Sequence, residues 1–270
     1  MTNMIRSSLA AAAMLLAAGC ASLPPPKDGG TPAGFREIRN EPHYRLAVRP
    51  GEAAWPQPAL FRLPEATVVE GAIGTGITPQ QAQVVATHAA RSMCLALAPW
   101  MQWTTADEGG RILLQVQRIG ASSSELAATS AVLDALVPGP FRLPAGLGTL
   151  EVNTRVEDAA GATVLDVRWA RGANPLLHRA RVSTIGDAWE LAPSNARDLV
   201  AELAPLKLAA QPDPVREANI AACEQRFGQV SVAGRAASFL VPLSPEAIDP
   251  ASGKPAGDAP AEDQPAAGKP

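Results

Sequence analysis

Three cysteines and three histidines are the side chains of this chain best equipped for covalent or metal chemistry, and their surroundings give them different tasks. Cys20 closes the run Leu15-Leu16-Ala17-Ala18-Gly19-Cys20, behind one cation, Arg6, and an apolar stretch from Leu9 to Ala18. That is the layout of a cleaved secretory signal. The stretch is too short to remain in a bilayer, which takes ~20 apolar residues. Small residues at Ala17, Ala18 and Gly19 give a peptidase access to the bond before Cys20, whose thiol can then take a thioether-linked diacylglycerol. Cys20 is therefore expected to be a lipidation site, and at ~0.8 kcal/mol per buried methylene two acyl chains already anchor stably.

The other two cysteines, Cys94 and Cys223, each fall near the apolar side of an expected helix. In an exported protein they could form a disulfide that ties the last helix to the first, or stay as two buried thiols behaving as small hydrophobes. Geometry decides between these, because a bond needs the two Cα atoms within about 7 Å.

His43, His88 and His178 have no metal-ligand partner at usable spacing, and His88 lies beside an apolar stripe, where a structural, partly buried role is expected. The nucleophile pattern Gly-x-Ser-x-Gly is absent. Gly71-Ala72-Ile73-Gly74-Thr75-Gly76 precedes a helix but matches neither the dinucleotide fingerprint nor the P-loop, and reads as a flexible loop. The acid pairs Asp107-Glu108 and Glu157-Asp158 sit beside glycine turns and read as solvated turn residues. No catalytic, cofactor-binding or metal site is expected, and the chain is not read as an enzyme.

The elements that would position these residues alternate between strand and helix periods. Tyr44, Leu46 and Val48 share one side of a strand that Pro50 and Gly51 end, and residues 65–70 suggest a second short strand. Thr78 as cap and Pro79 in the first turn open a helix whose apolar stripe is Ala82, Val85, Ala86, Ala89, Met93, Ala96, Leu97 and Trp100, with Gln83, Thr87 and Arg91 opposite. Arg111 to Ile119 reads as a central strand. Ser122 and Glu125 form a capping box for a helix running to Val137. Leu150 to Val156 and Thr163 to Trp169 form a hairpin about the turn 158–161, and the helices must cover one face of it. A helical stripe from Trp189 to Leu203 crosses Pro193, so the helix is either kinked there or begins there. Asp213 as cap, Pro214 and Gly228 bracket a last helix with Ile220, Cys223 and Phe227 on its stripe. Residues 229–241 could add an edge strand.

Composition bounds the whole. Residues 1–19 read as a signal peptide, 20–35 as the lipidated cysteine with a flexible, proline-rich tether, 36–241 as one α/β (α+β) domain, and 242–270 as a disordered tail. Without residues 1–19 the net charge of −3 becomes −4, since Arg6 is the only charged side chain removed. No Lys/Arg run breaks the chain, which reads against nucleic acid and anionic lipid surfaces as partners. The fold expected is a mainly antiparallel or mixed sheet with helices on one face.

The run Gly148 to Arg171, with Glu157-Asp158 entering a tight turn at Gly161 and Thr163-Val164-Leu165-Asp166 returning, resembles the bacterial lipoprotein family catalogued as domain of unknown function 3313. The Pro138-Gly139-Pro140 break before Phe141 and the helix start Gly186-Asp187-Ala188-Trp189 are similar too, although the family's Trp-Gly-Asp is here Ile185-Gly186-Asp187. The resemblance spans roughly Tyr44 to Leu203 and implies an envelope location and an α/β fold, with no established activity. Ala21 stands where inner-membrane retention typically needs Asp, so the resemblance to sorted lipoproteins implies the outer membrane.

The expected role is thus a lipid-anchored, periplasm-facing outer-membrane protein. It would act as a non-catalytic interaction or assembly component with an unidentified envelope protein as partner and the membrane as anchor. A carrier or sensor of a small apolar ligand, held between helix layer and sheet, is the second class. A hydrolase, the third, would need one of the histidines beside a serine or carboxylate in a cleft.

Overall fold

Alternation writes the sheet. The computed structural model describes residues 22–25, 30–56, 59–106, 108–123, 146–174, 183–206, 208–229 and 245. Strands β1 (Arg36–Glu41), β2 (Tyr44–Pro50), β3 (Leu60–Arg62) and β4 (Glu65–Val68) come first. Helix α1 (Pro79–Leu97), β5 (Gln102–Thr104), β6 (Arg111–Gly120), β7 (Thr149–Glu157) and β8 (Thr163–Gly172) follow, then α2 (Gly186–Leu203), a 3-10 turn (Ala204–Leu206) and α3 (Asp213–Phe227). Six strands form one mixed sheet in the order β1-β2-β8-β7-β6-β4, antiparallel except where β4 runs parallel to β6. β3 and β5 form a separate parallel pair. The expected α/β class with a mixed sheet is what the chain adopts.

Residues facing the helices are the ones the period-two pattern singles out. Leu46 pairs with Trp169, Val48 with Val167, Val152 with Trp169 and Ile112 with Val156, and all are buried. The hairpin turns where expected: Asp158 accepts from the Ala162 backbone N–H, and Gly161 adopts φ +84°, a conformation that suits glycine.

Helix α1 begins as its sequence demands. The Thr78 hydroxyl accepts from Gln81 N–H, the Gln81 side chain accepts from Thr78 N–H, and Pro79 occupies the first turn. α1 lies between α2 and α3 and over β4 and β6, while α2 covers β7 and β8. Small residues on both helices, Ala82, Ala86 and Ala89 on α1 and Ala188, Ala192 and Ala196 on α2, are all buried, so they bring the helices together instead of leaving space. α2 is one helix from Gly186 with Pro193 inside it, not one that begins at Pro193.

Several expectations shift. Arg91, expected on the solvent side of α1, is buried, because α3 packs against that side. Asp213 is the first residue of α3 and Pro212 its cap, one position earlier than expected, and Asn219 rather than Ile220 heads the buried stripe with Cys223 and Phe227. The 71–76 loop is not loose: Gly74 N–H donates to Ile119 O and Ile119 N–H to Ala72 O, prolonging the β4 edge along β6. A Cβ on Gly74 would lie 2.6 Å from Ile119 O, so only glycine fits this approach. Within the segment expected to be a flexible tether, residues 22–25 are held: Leu23 N–H donates to Pro42 O, Arg45 donates to Pro24 O and Arg118 to Pro25 O. The expected signal peptide, Cys20, the helix expected at 126–137, His178, all but the first residue of the strand expected at 229–241, and the expected tail 242–270 apart from residue 245 lie outside the described residues.

One tie between sheet and helices is readable in solution. Tyr44 Oη and Trp169 Nε1 both donate to Asp198 Oδ2, at 2.9 and 2.7 Å, joining β2 and β8 to α2. Burial first, and then this hydrogen bond to Asp198, push the Tyr44 phenol above its ordinary value. The neutral phenol therefore supports the fold fully below pH ~10, the unfolded value, and that support fades as pH rises beyond it. Tyr44 is the only tyrosine in the chain. Phenolate absorbance should therefore appear with the loss of near-ultraviolet circular dichroism; phenolate forming near pH ~10 in an intact fold would contradict this.

Candidate binding surfaces

Helices α1, α2 and α3 meet in an outward-facing groove of about 470 Å³. His88 and Trp189 form its floor: their rings stack with centroids 4.1 Å apart and planes 8° from parallel, and both are buried. Arg91 stands beside them. Its Nη2 lies 2.7 Å from His88 Nδ1, and its Nη1 donates to Phe227 O and Gly228 O at 3.3 and 3.5 Å. A guanidinium can only donate, so His88 Nδ1 accepts, and the imidazole is neutral with its proton on Nε2. The same cation neutralises the last carbonyls of α3, where positive charge is favoured. Leu95, Ala96, Pro193 and Ala196 line the walls, and Leu95 is one of two large hydrophobics exposed among the described residues.

Cys94 and Cys223, one helical turn beyond Arg91 and on α3 respectively, are joined by a disulfide with the Cα atoms 5.8 Å apart. The bond sits in its own small core with Ala90 and Phe227, against which Leu63 and Trp103 pack. Of the two readings left open by the sequence, the structure adopts the bonded one. Asn219 completes this junction: its Nδ2 donates to Ala98 O and Met101 O, and its Oδ1 accepts from Trp103 N–H.

The sequence reading missed Arg91 and Asn219. The spacing of His88, Arg91 and Cys94, three residues apart, was the available signal: once Cys94 pairs with α3, Arg91 must face α3 as well.

The remaining candidates are dispersed. His43 lies in the β1–β2 turn, its Nε2 3.5 Å from Glu41 Oε2, with both side chains well exposed. Among the described residues no group of three or more His, Cys, Asp or Glu could hold a metal ion, and no helix is long and apolar enough to cross a membrane. Glu157, expected to be a solvated turn residue, is buried and pairs with Arg111, because it still belongs to β7 and precedes the turn. The two stretches that carry the family resemblance meet: Gly148 N–H donates to Asp187 Oδ2 at 2.6 Å, and Asp187 N–H donates to Ser122 Oγ.

Among solved structures the chain is similar to PelC. The PelC dodecamer from Paraburkholderia phytofirmans matches at 12% identity and a TM-score of 0.34, over 55% of this chain and 93% of that one. A leucine-to-methionine variant of the same dodecamer matches at 12% identity and 0.32, over 58% and 97%. At these values the likeness carries no conclusion about this chain. No protein-family model matches it, and no curated protein does.

On the sheet face away from the helices the pairing register gathers charge. Arg45 and Arg49 on β2, Arg168 on β8, Arg155 on β7, and Arg111 and Arg118 on β6 share that face with Glu151, Glu157 and Asp166. Arg49 pairs with Asp166 at 2.8 Å, Arg155 with Asp166 at 3.7 Å, and Arg118 with Glu151 at 3.8 Å. Phe35 lies under two of these cations, with Arg49 Cζ 4.9 Å and Arg168 Cζ 5.1 Å from its ring centre.

Proposed function

We propose that the chain is an outer-membrane lipoprotein, anchored through acyl chains on Cys20 and facing the periplasm, that acts without catalysis as an interaction or assembly component of the envelope. The groove over the His88–Trp189 stack is the observation that supports this reading. Its floor is fixed before any partner arrives, because Arg91 holds His88 and His88 stacks on Trp189, and its walls combine the apolar Leu95, Ala96, Pro193 and Ala196 with a polar border of Ser92, Arg197, Glu224 and Gln229. The occupant it suits is an apolar segment of an envelope protein, presenting an aliphatic or aromatic side chain between Leu95 and Ala196.

The same volume favours a second reading, since small-molecule sites commonly fall between ~300 and 1,000 Å³. In that case a small apolar ligand would lie on the rings, and the site would differ from the carrier expected between helix layer and sheet.

A photoreactive residue replacing Leu95 in intact cells separates the two. A discrete envelope-protein adduct is expected, falling about tenfold when Ala96→Arg sends a cation into the groove, on the scale of one lost contact of ~1.4 kcal/mol. If anchored, well-expressed protein traps no protein at Leu95 while solvent extraction of the purified chain releases an apolar small molecule, the carrier reading replaces the first.

A further inference from the structure

A linear reading finds no cationic run, because the arginines of the sheet occupy alternate positions on four strands and only the register brings them together. Six arginines meet three acids on the inner strands, with Glu37 and Glu65 on the flanking strands β1 and β4. Depth then separates the signs. The side chains of Asp166 and Glu157 are each 9% exposed, whereas their partners Arg49, Arg155 and Arg111 are 41%, 50% and 39% exposed. At Asp166 and Glu157 this face therefore presents guanidinium with the carboxylate sunk beneath, while Glu151, 20% exposed beside Arg118 at 19%, and the exposed Glu37 and Glu65 remain at its surface.

The start of the described chain crosses the same face. Arg45 and Arg118 hold the carbonyls of Pro24 and Pro25, and Ser22 lies just before them. Cys20 is two residues from Ser22, a reach of at most about 7 Å. A lipid on Cys20 therefore enters the bilayer beside the arginine face, and the helix layer with its groove is on the other side of the domain. Phe35, half-buried beneath Arg49 and Arg168, holds both guanidinium groups over its ring at the surface of this face.

We propose that the open sheet face lies against the phospholipid headgroups of the leaflet holding the Cys20 acyl chains, its arginines meeting lipid phosphate, so that the groove points away from the membrane. The proposal rests on the lipid anchor read at Cys20 and adds the orientation. Arginine suits the task because its planar fork can take two phosphate oxygens at once. Each cation near an anionic surface raises partitioning roughly fivefold.

The test uses the full chain expressed with its own leader, purified and mixed with vesicles of phosphatidylglycerol and phosphatidylethanolamine. Mass measurement of the Cys20 peptide reads the anchor by itself. A photoreactive residue at Gln115, exposed on the arginine face, is compared with one at Leu95 on the helix layer. Lipid adducts are expected at Gln115 and not at Leu95. They should fall roughly 10- to 30-fold with Arg155→Gln and Arg168→Gln together, and fall as salt is raised, because the surface field is screened. Arg226→Gln on α3 should leave them unchanged, and all variants should keep the parent melting temperature within a few degrees. Equal trapping at both positions overturns the orientation, as does trapping at Leu95 alone. So does the absence of adducts at Gln115 with or without an acyl group on Cys20, and the mass shows whether the anchor failed too. Capture of an added oligonucleotide at Gln115 in preference to lipid also overturns the proposal, and makes the face a polyanion site.

Discussion

Replacing Cys94 or Cys223 by serine should lower the stability of the domain by roughly 3 to 5 kcal/mol, the largest effect of any single change considered. The bond closes a loop of 129 residues. In the chain-entropy account a loop of this length gives the reduced unfolded chain ~5 kcal/mol of freedom that the oxidised one lacks. For a domain of this size the loss corresponds to a fall in melting temperature of roughly 10 to 15 °C. Both sulfurs are buried, so reductant should act slowly on the native protein and fully on the unfolded one. Calorimetry with and without reductant measures the difference. Titration of the unfolded, unreduced chain that finds two reactive thiols from Cys94 and Cys223 would sink the prediction outright.

Asn219→Ala should cost a further large amount, about 2 to 4 kcal/mol, because three hydrogen bonds converge on one buried amide. One of them caps the first helix, because the Ala98 carbonyl lies where α1 has run out of its own N–H donors, and another holds the Met101 carbonyl just before β5. The third fixes Trp103 N–H at the start of β5. Asn219→Asp should be no milder, since a carboxylate cannot donate to either carbonyl and would be buried as a charge. Denaturant unfolding of the two variants checks this, and a loss under 1 kcal/mol for both would refute the role. Because Asn219 and the disulfide both tie α3 to the end of α1, their effects should not add. With Cys223→Ser already in place, α3 is freer to move off, and Asn219→Ala should cost less than it does alone.

How much of this was readable in advance depends on how local the cause is. Thr78, Pro79 and Gln81 fix the start of α1 through bonds within one turn, so three letters suffice. The hairpin is equally local, since Gly161 and the flanking alternation determine it. β1 was missed because Arg36–Glu41 carries a single apolar residue, Ile38, and pairs only as an edge. β3 and β5 are three residues each, too short for any period to register. The buried Arg91 and Asn219 defeat composition rules that place such residues outside, because their partners are helix-end carbonyls far away in sequence. The arginine face is the clearest case. Each strand shows one or two arginines among other residues, such as Ala47, Leu113 and Ala170, on its outward positions, and whether the arginines line up across β2, β8, β7 and β6 is a property of register.

The two outer strands of the sheet carry a consequence for life in a crowd. An open sheet offers unpaired N–H and C=O groups along its borders, and copies confined near one another invite fusion there. β1 exposes Arg36, Glu37, Arg39, Asn40 and Glu41 along its six residues and breaks its own register between Glu37 and Arg39. β4, at the far border, is four residues long, and after a turn the chain regains β6 only through the single Ile73–Ile119 bridge. Neither border is a flat template, so neighbouring molecules can be held close without joining into a continuous β-structure.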